Sequence, residues 1–129
     1  MSNSIILDTH AFIWFVDGNK EMPVHIRKMI EKSSIEKFIS IASLWEIAIK
    51  TSLGKLNIKG DFSKVNHLID VNGFKILPVN FNDTFVVSEL PFFHRDPFDR
   101  ILIAQAINYQ MGIVTKDANF KLYQVKVIW

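Results

Sequence analysis

Short apolar runs alternate with longer stretches of helical periodicity along the whole chain, and this alternation constrains the fold more than any single residue. Ser4–Leu7, Phe38–Ala42, Phe74–Val79, Ile113–Thr115 and Lys126–Trp129 have the length and apolar character of buried strands. Between them apolar residues recur at helical spacing, as Met22, Ile26, Met29 and Ile30 do, and then Leu44, Ile47 and Ala48. Strands that alternate with helices predict an α/β fold with a mostly parallel sheet of about five short strands.

Local signals set the expected boundaries. Asp17-Gly18-Asn19 closes a helix over His10–Val16, and Pro23 suits the first turn of one over Met22–Lys32. Gly54 ends a helix over Ser43–Leu53. Asp61 caps a helix carrying Phe62, Val65, Leu68 and Ile69, which Asn72-Gly73 closes, and Asn80 caps one reaching Leu90. Phe98–Met111 is the most apolar segment, so it should be a buried helix, with Gly112 ending it.

Composition narrows the class. The chain has 129 residues, 49% of them hydrophobic and 22% charged, so residues 1–129 read as one domain and intrinsic disorder is excluded. Cysteine is absent, which removes disulfides, thiolate metal sites and cysteine nucleophiles. A net charge of +2 falls short of a polybasic arm, so any contact with nucleic acid needs a local patch. No apolar stretch reaches the roughly 20 residues of a membrane span, and no basic n-region marks a signal peptide, so the expected compartment is cytoplasmic.

In α/β folds chemistry gathers beyond the carboxyl ends of the strands. Asp8 follows the first run directly. Ser43-Leu44-Trp45-Glu46 follows the second, Lys116-Asp117 follows the fourth, and Asp96-Pro97-Phe98-Asp99 opens the apolar helix. Each acid has a structural reading of its own. Ser43 with Glu46 has the form of a capping box, and Glu46 stands four residues before Lys50. Asp96 reads as an N-cap before Pro97, and Asp117 as the cap of a short helix. Asp8 is harder to place this way, because a carboxylate abutting a buried strand must be compensated.

A parallel sheet brings these segments to one edge. Crowded carboxylates hold their protons more tightly, and a divalent cation removes that penalty. Without cysteine, and with histidines dispersed at 10, 25, 67 and 94, an oxygen-rich site for Mg²⁺ or Mn²⁺ is favoured over zinc. Such an ion activates water against phosphate esters.

Leu7-Asp8-Thr9-His10, Ser43-Leu44-Trp45-Glu46-Ile47 with Lys50 and Gly54-Lys55-Leu56, His94-Arg95-Asp96-Pro97-Phe98-Asp99-Arg100 with Ile103-Ala104-Gln105-Ala106, and Val114-Thr115-Lys116-Asp117 arrive in an order that resembles the PIN-domain nucleases. Within that family it resembles the small VapC-like toxins of type II toxin–antitoxin pairs. The resemblance implies a three-layer α/β/α fold and metal-dependent endoribonuclease activity. It makes Asp8, Glu46, Asp99 and Asp117 the catalytic acids and metal ligands, with Asp96 as an additional acid that is ligand, support or cap. It also implies a homodimer and a small antitoxin partner.

Around those acids, Lys50, Arg95, Arg100, Lys116 and Lys121 are the expected RNA contacts. Thr9, Ser43 and Thr115 are expected to orient carboxylates from behind. Phe92, Phe93 and His94 are candidates for stacking on a splayed base, and Trp14, Phe15 and Met22 for an exposed partner patch. Asn119 stands where some relatives carry a further acid, which bears on a second metal. A haloacid-dehalogenase-type phosphatase is disfavoured because His10 stands where a second Asp is needed. A non-catalytic Mg²⁺-binding or RNA-binding adaptor of the same fold is the alternative.

Overall fold

The computed structural model describes residues 3–58 and 60–129. Strands β1 (Ser4–Leu7), β2 (Glu36–Ser40), β3 (Phe74–Leu77), β4 (Gly112–Val114) and β5 (Val127–Ile128) form one sheet in the order β3-β2-β1-β4-β5. Every pairing is parallel, so the sheet expected to be mostly parallel is wholly so. The helices are α1 (Thr9–Asp17), α2 (Val24–Glu31), α3 (Ile41–Ser52), α4 (Val65–Val71), α5 (Phe81–Glu89) and α6 (Pro97–Tyr109). Two 3₁₀ turns, Phe62–Lys64 and Ala118–Leu122, complete the elements.

Alternation along β1 explains the layers. Ile5 and Leu7 face one core with Phe12, Ile26, Ile30, Ile47 and Ile69, from α1 to α4. Ile6 faces the other, with Leu102, Ile103 and Ala106 of α6 and Phe120. Helices therefore cover both faces, and both faces of the central strands are apolar, as buried parallel strands require. The result is the α/β/α sandwich.

Several boundaries differ from the sequence expectation. Helix α3 begins earlier, at Ile41, and Ser40 caps it by accepting from Ala42 N at 3.0 Å. Ser43 is thus inside the helix and fully buried, and no capping box joins it to Glu46. The capping box of this fold is Asn80 with Asp83, at the start of α5. Helix α2 begins after Pro23, which is its N-cap rather than part of its first turn. Gly112 does not end α6. Gln110 does, in the left-handed conformation at φ 54°. Gly112 opens β4, where a Cβ would stand 2.7 Å from Ile128 Cδ1, so a side chain there displaces the Ile128 side chain of β5. The expected patch of Trp14, Phe15 and Met22 also dissolves. Phe15 and Met22 are core residues, because α1 lies flat on the sheet and Phe15 meets Phe74 edge-on.

Candidate functional site

Asp8 is the only residue between β1 and α1, and this brevity places its carboxylate. Its backbone N–H continues the sheet by donating to Val114 O at 3.0 Å. Its side chain caps α1, with Oδ1 accepting from Ala11 N at 2.8 Å. Oδ2 accepts the Thr115 hydroxyl at 2.6 Å. Thr115 Oγ1 in turn accepts the Asp117 N–H at 3.0 Å, so one threonine ties together the exits of β1 and β4.

The other acids arrive by similar local devices. Asp96 caps α6, its Oδ1 accepting from Asp99 N at 3.0 Å, with Pro97 next in the first turn. Asp99, in the first turn of α6, faces the same cleft as Asp8 and Asp117. Asp117 caps the second 3₁₀ turn through Asn119 N at 2.9 Å. Glu46 is buried on α3. Its Oε1 accepts the Thr9 hydroxyl at 2.6 Å, and Ser43 Oγ lies 3.0 Å from that hydroxyl. Its Oε2 pairs with Lys50 Nζ at 2.7 Å.

Asp8, Asp99 and Asp117 line one cleft, and the charges of Asp96 and Glu46 reach into it. Burial, and then the nearby charges of Asp96, Asp8 and Glu46, push the Asp99 carboxyl up to about 7, with His94 opposing the rise. Burial also raises Asp8, against the hydrogen bonds from Thr115 and Ala11, and Asp117 adds to the rise. Lys50 is raised by its hydrogen bond to Glu46, and it feels Asp96 and Asp99 as well. Carboxylates this close repel when ionised, and a divalent cation relieves that repulsion. The donor set is mainly carboxylate oxygen, which suits a hard ion. The residues therefore fit a hard divalent cation, with His94, Asp99 and Asp117 offering ligand atoms within 4.8 Å of one another.

Sequence reasoning missed one member of this site. His94, expected among base-stacking residues, points inward: Nε2 lies 2.9 Å from Asp117 Oδ2 and 3.1 Å from Asp99 Oδ2. Its Nδ1 accepts the Asp96 N–H at 3.2 Å, so Nε2 carries the hydrogen and donates to the two carboxylates. The ring edge meets Phe120. The only signal in the sequence is its place two residues before Asp96.

The basic residues divide. Lys116 lines the cleft and pairs with Glu21 at 3.1 Å, and Lys50 sits beside Glu46. Arg95 and Lys121 are exposed. Arg100 is not in the cleft. It is buried, and its guanidinium donates to the carbonyl oxygens of Val87, Leu90, Pro91 and His94 while lying 4.2 Å from the centre of the Phe92 ring. It holds the loop before α6 in place instead of meeting phosphate. Phe93 packs edge-on against Tyr123.

A family model described as PIN domain matches residues 5–126. No curated protein sequence matches the chain. It is similar to a chain of VapBC2 from Rickettsia felis bound to a DNA fragment from their promoter, at 16% identity, with 97% of each chain covered and a TM-score of 0.70. It is also similar to a chain of DNA-bound VapBC from Salmonella typhimurium, at 18% identity, with 97% of this chain and 96% of that one covered and a TM-score of 0.73. A third likeness is to a chain of FitAcB from Neisseria gonorrhoeae, at 18% identity, with the same coverages and a TM-score of 0.67. These likenesses concern the fold, whereas the family match spans nearly the whole sequence, and the chain belongs to the PIN domain family.

Proposed function

We propose that this protein is a metal-dependent endoribonuclease that acts in the cytoplasm as the toxin of a toxin–antitoxin pair. The observation that carries the reading is the convergence of Asp8, Glu46, Asp96, Asp99 and Asp117, with the Asp99 carboxyl raised to about 7 by burial and by its acidic neighbours. Bound among them, Mg²⁺ or Mn²⁺ supplies the charge that steadies the carboxylates and the Lewis acidity that activates water against a phosphodiester. Asp8, Asp99 and Asp117 would hold the ion, and Asp96 sets the first turn of α6, which carries Asp99. Glu46 would help to hold or to deprotonate the attacking water. Thr9, Ser43 and Thr115 hold Glu46 and Asp8 in orientation from behind. Lys116, Lys50 and Arg95 meet RNA phosphates. The phosphorus–oxygen bond opposite the attack breaks, and the leaving oxygen takes a proton from solvent.

The resemblance to VapC-like toxins supports an antitoxin partner and a homodimer, and the fold shared with chains of VapBC and FitAcB supports the antitoxin partner. An apolar groove of about 510 Å³ beside the acids, lined by Ile41, Trp45, Val79, Pro97, Phe98 and Ile101, offers a protein partner a surface. No helix among the described residues is long and apolar enough to cross a membrane.

The test is cleavage of end-labelled structured RNAs in Mn²⁺, Mg²⁺ and EDTA, beside Asp99→Asn prepared identically. Metal-dependent cuts at discrete positions, absent in the folded variant, support the reading. Equal activity of both proteins defeats this choice of ligands. RNA binding without cutting in any metal favours the adaptor.

A further inference from the structure

The acidic cleft has one wall of different chemistry. His10, Trp14 and Lys116 line it together with Asp8, Asp99 and Asp117. His10 and Trp14 stand four residues apart on α1 and therefore share a helix face. Their ring centres are 5.8 Å apart, and Lys116 Nζ lies 5.8 Å from the centre of the Trp14 ring. Trp129 packs against the indole at 5.9 Å and steadies it. Among the hydrogen bonds that orient the acids, none comes from this wall. Asp8 is held by Ala11 and Thr115, and Asp117 by Asn119 and His94. A braced indole, an exposed imidazole and an ammonium group thus face the acids without a hydrogen bond to them, and His10 acts on Asp8 only through its charge.

We propose that Trp14 and His10 form a base-stacking subsite, and that the substrate presents an unpaired nucleotide beside the phosphate that is cut. This deepens the nuclease reading and rests on it. Aromatic side chains take any base by its π-face, and a lysine beside them meets the adjoining phosphate. A base inside a duplex has no free face to offer, so recognition of this kind selects single strands, loops and bulges. The cleft, about 340 Å³, falls within the size range of sites that enclose a small ligand or a single group of a larger one.

The experiment measures binding of a 5′-fluorescein single-stranded RNA dodecamer by anisotropy. Ca²⁺ replaces Mg²⁺, and the recovered RNA is checked for intactness on a denaturing gel. Wild type, Trp14→Phe, Trp14→Leu and His10→Ala are compared on this strand and on its abasic counterpart. Trp14→Leu should weaken binding about ten-fold, the range of one lost base stack. Trp14→Phe should stay near wild type, and His10→Ala should lose less, in the same direction. On the abasic strand all four should bind alike, and Mn²⁺ affinity measured without RNA should be unchanged. Equal RNA affinity of Trp14→Leu and wild type, or an equal loss on the abasic strand, overturns the subsite. Should Trp14→Leu fail to fold, the exposed His10→Ala decides by the same criteria. Wild type that binds RNA by stacking but never cuts it defeats the nuclease reading alone, whereas wild type that binds no RNA defeats both.

Discussion

The Thr115 hydroxyl donates to Asp8 Oδ2 at 2.6 Å across a sequence separation of 107 residues, and both groups are buried. The contact exists because β1 and β4 are adjacent parallel strands that end at the same edge. It opposes the rise that burial imposes on the Asp8 carboxyl. Thr115→Val keeps the shape and removes both the donor to Asp8 and the acceptor of the Asp117 N–H. It should lower stability by about 1 kcal/mol and weaken Mn²⁺ binding by about 10-fold or more. Thermal unfolding in EDTA and a calorimetric Mn²⁺ titration read the two effects, and unchanged Mn²⁺ affinity would show that Asp8 needs no such support.

Asp99 makes the metal-free protein sensitive to pH. Its folded value of about 7 lies above its ordinary value of 3.8, so between those limits the folded state holds a proton that the unfolded state has released. Stability then falls as pH rises through that window, and the Asp99 contribution is most unfavourable above about 7. Urea unfolding in EDTA from pH 4.5 to 8 should show this decline. Asp99→Asn should flatten it and be the more stable protein at pH 8. A wild-type profile no steeper than that of the variant contradicts the crowded-carboxylate account.

Metal and proton should compete for the same oxygens. Mn²⁺ binding should tighten as pH rises toward and through about 7, with proton release on binding. Calorimetry in two buffers of different ionisation enthalpy measures the released protons directly. Binding that is independent of both pH and buffer would place the ion away from Asp99.

His94 bridges Asp99 and Asp117 through one Nε2–H, which holds the two carboxylates together in the absence of an ion. His94→Ala should cost about 1–2 kcal/mol in EDTA. His94→Gln, which keeps an N–H donor, should recover part of that. Saturating Mn²⁺ should narrow the gap between Ala and wild type, and a gap of equal size with and without metal would reduce the role of His94 to packing against Phe120.

Arg100 is predicted to be structural. Arg100→Lys keeps the charge and loses the fork that reaches four carbonyl oxygens. It should destabilise by about 2–3 kcal/mol, while the salt dependence of RNA binding stays the same. Urea unfolding and a salt titration of binding separate the two, and a shallower salt slope would return Arg100 to the phosphate contacts.

Much of this arrangement was legible in the sequence. The alternation of apolar runs with helical segments carried the sheet, because buried parallel strands are apolar on both faces and stand out from their surroundings. Asp8, Asp96 and Asp117 were legible as residues at strand exits and helix entrances. What escaped was set by distance. The direction of His94 depends on Asp117 and Phe120, far away in the chain, and a lone histidine carries no periodic signal. Arg100 looked like one more basic residue beside the acids, because nothing local records that the chain from Val87 to His94 turns its carbonyls inward. The start of α3 was misplaced because Ser40 and Ser43 are both competent caps, and only the end of β2 decides between them.

Three of the five acids, Asp8, Asp96 and Asp117, also cap helical turns, while Asp99 and Glu46 cap none. Over generations, mutation therefore meets two unequal groups of residues. A lineage that loses one of the caps gives up part of its architecture together with its chemistry, and selection for an intact protein resists the change. Asp99 is held under the opposite tension, since neutralising it relieves repulsion in the metal-free protein. Where a descendant of this chain survives in a silenced form, Asp99 is the acid whose loss the fold itself would reward.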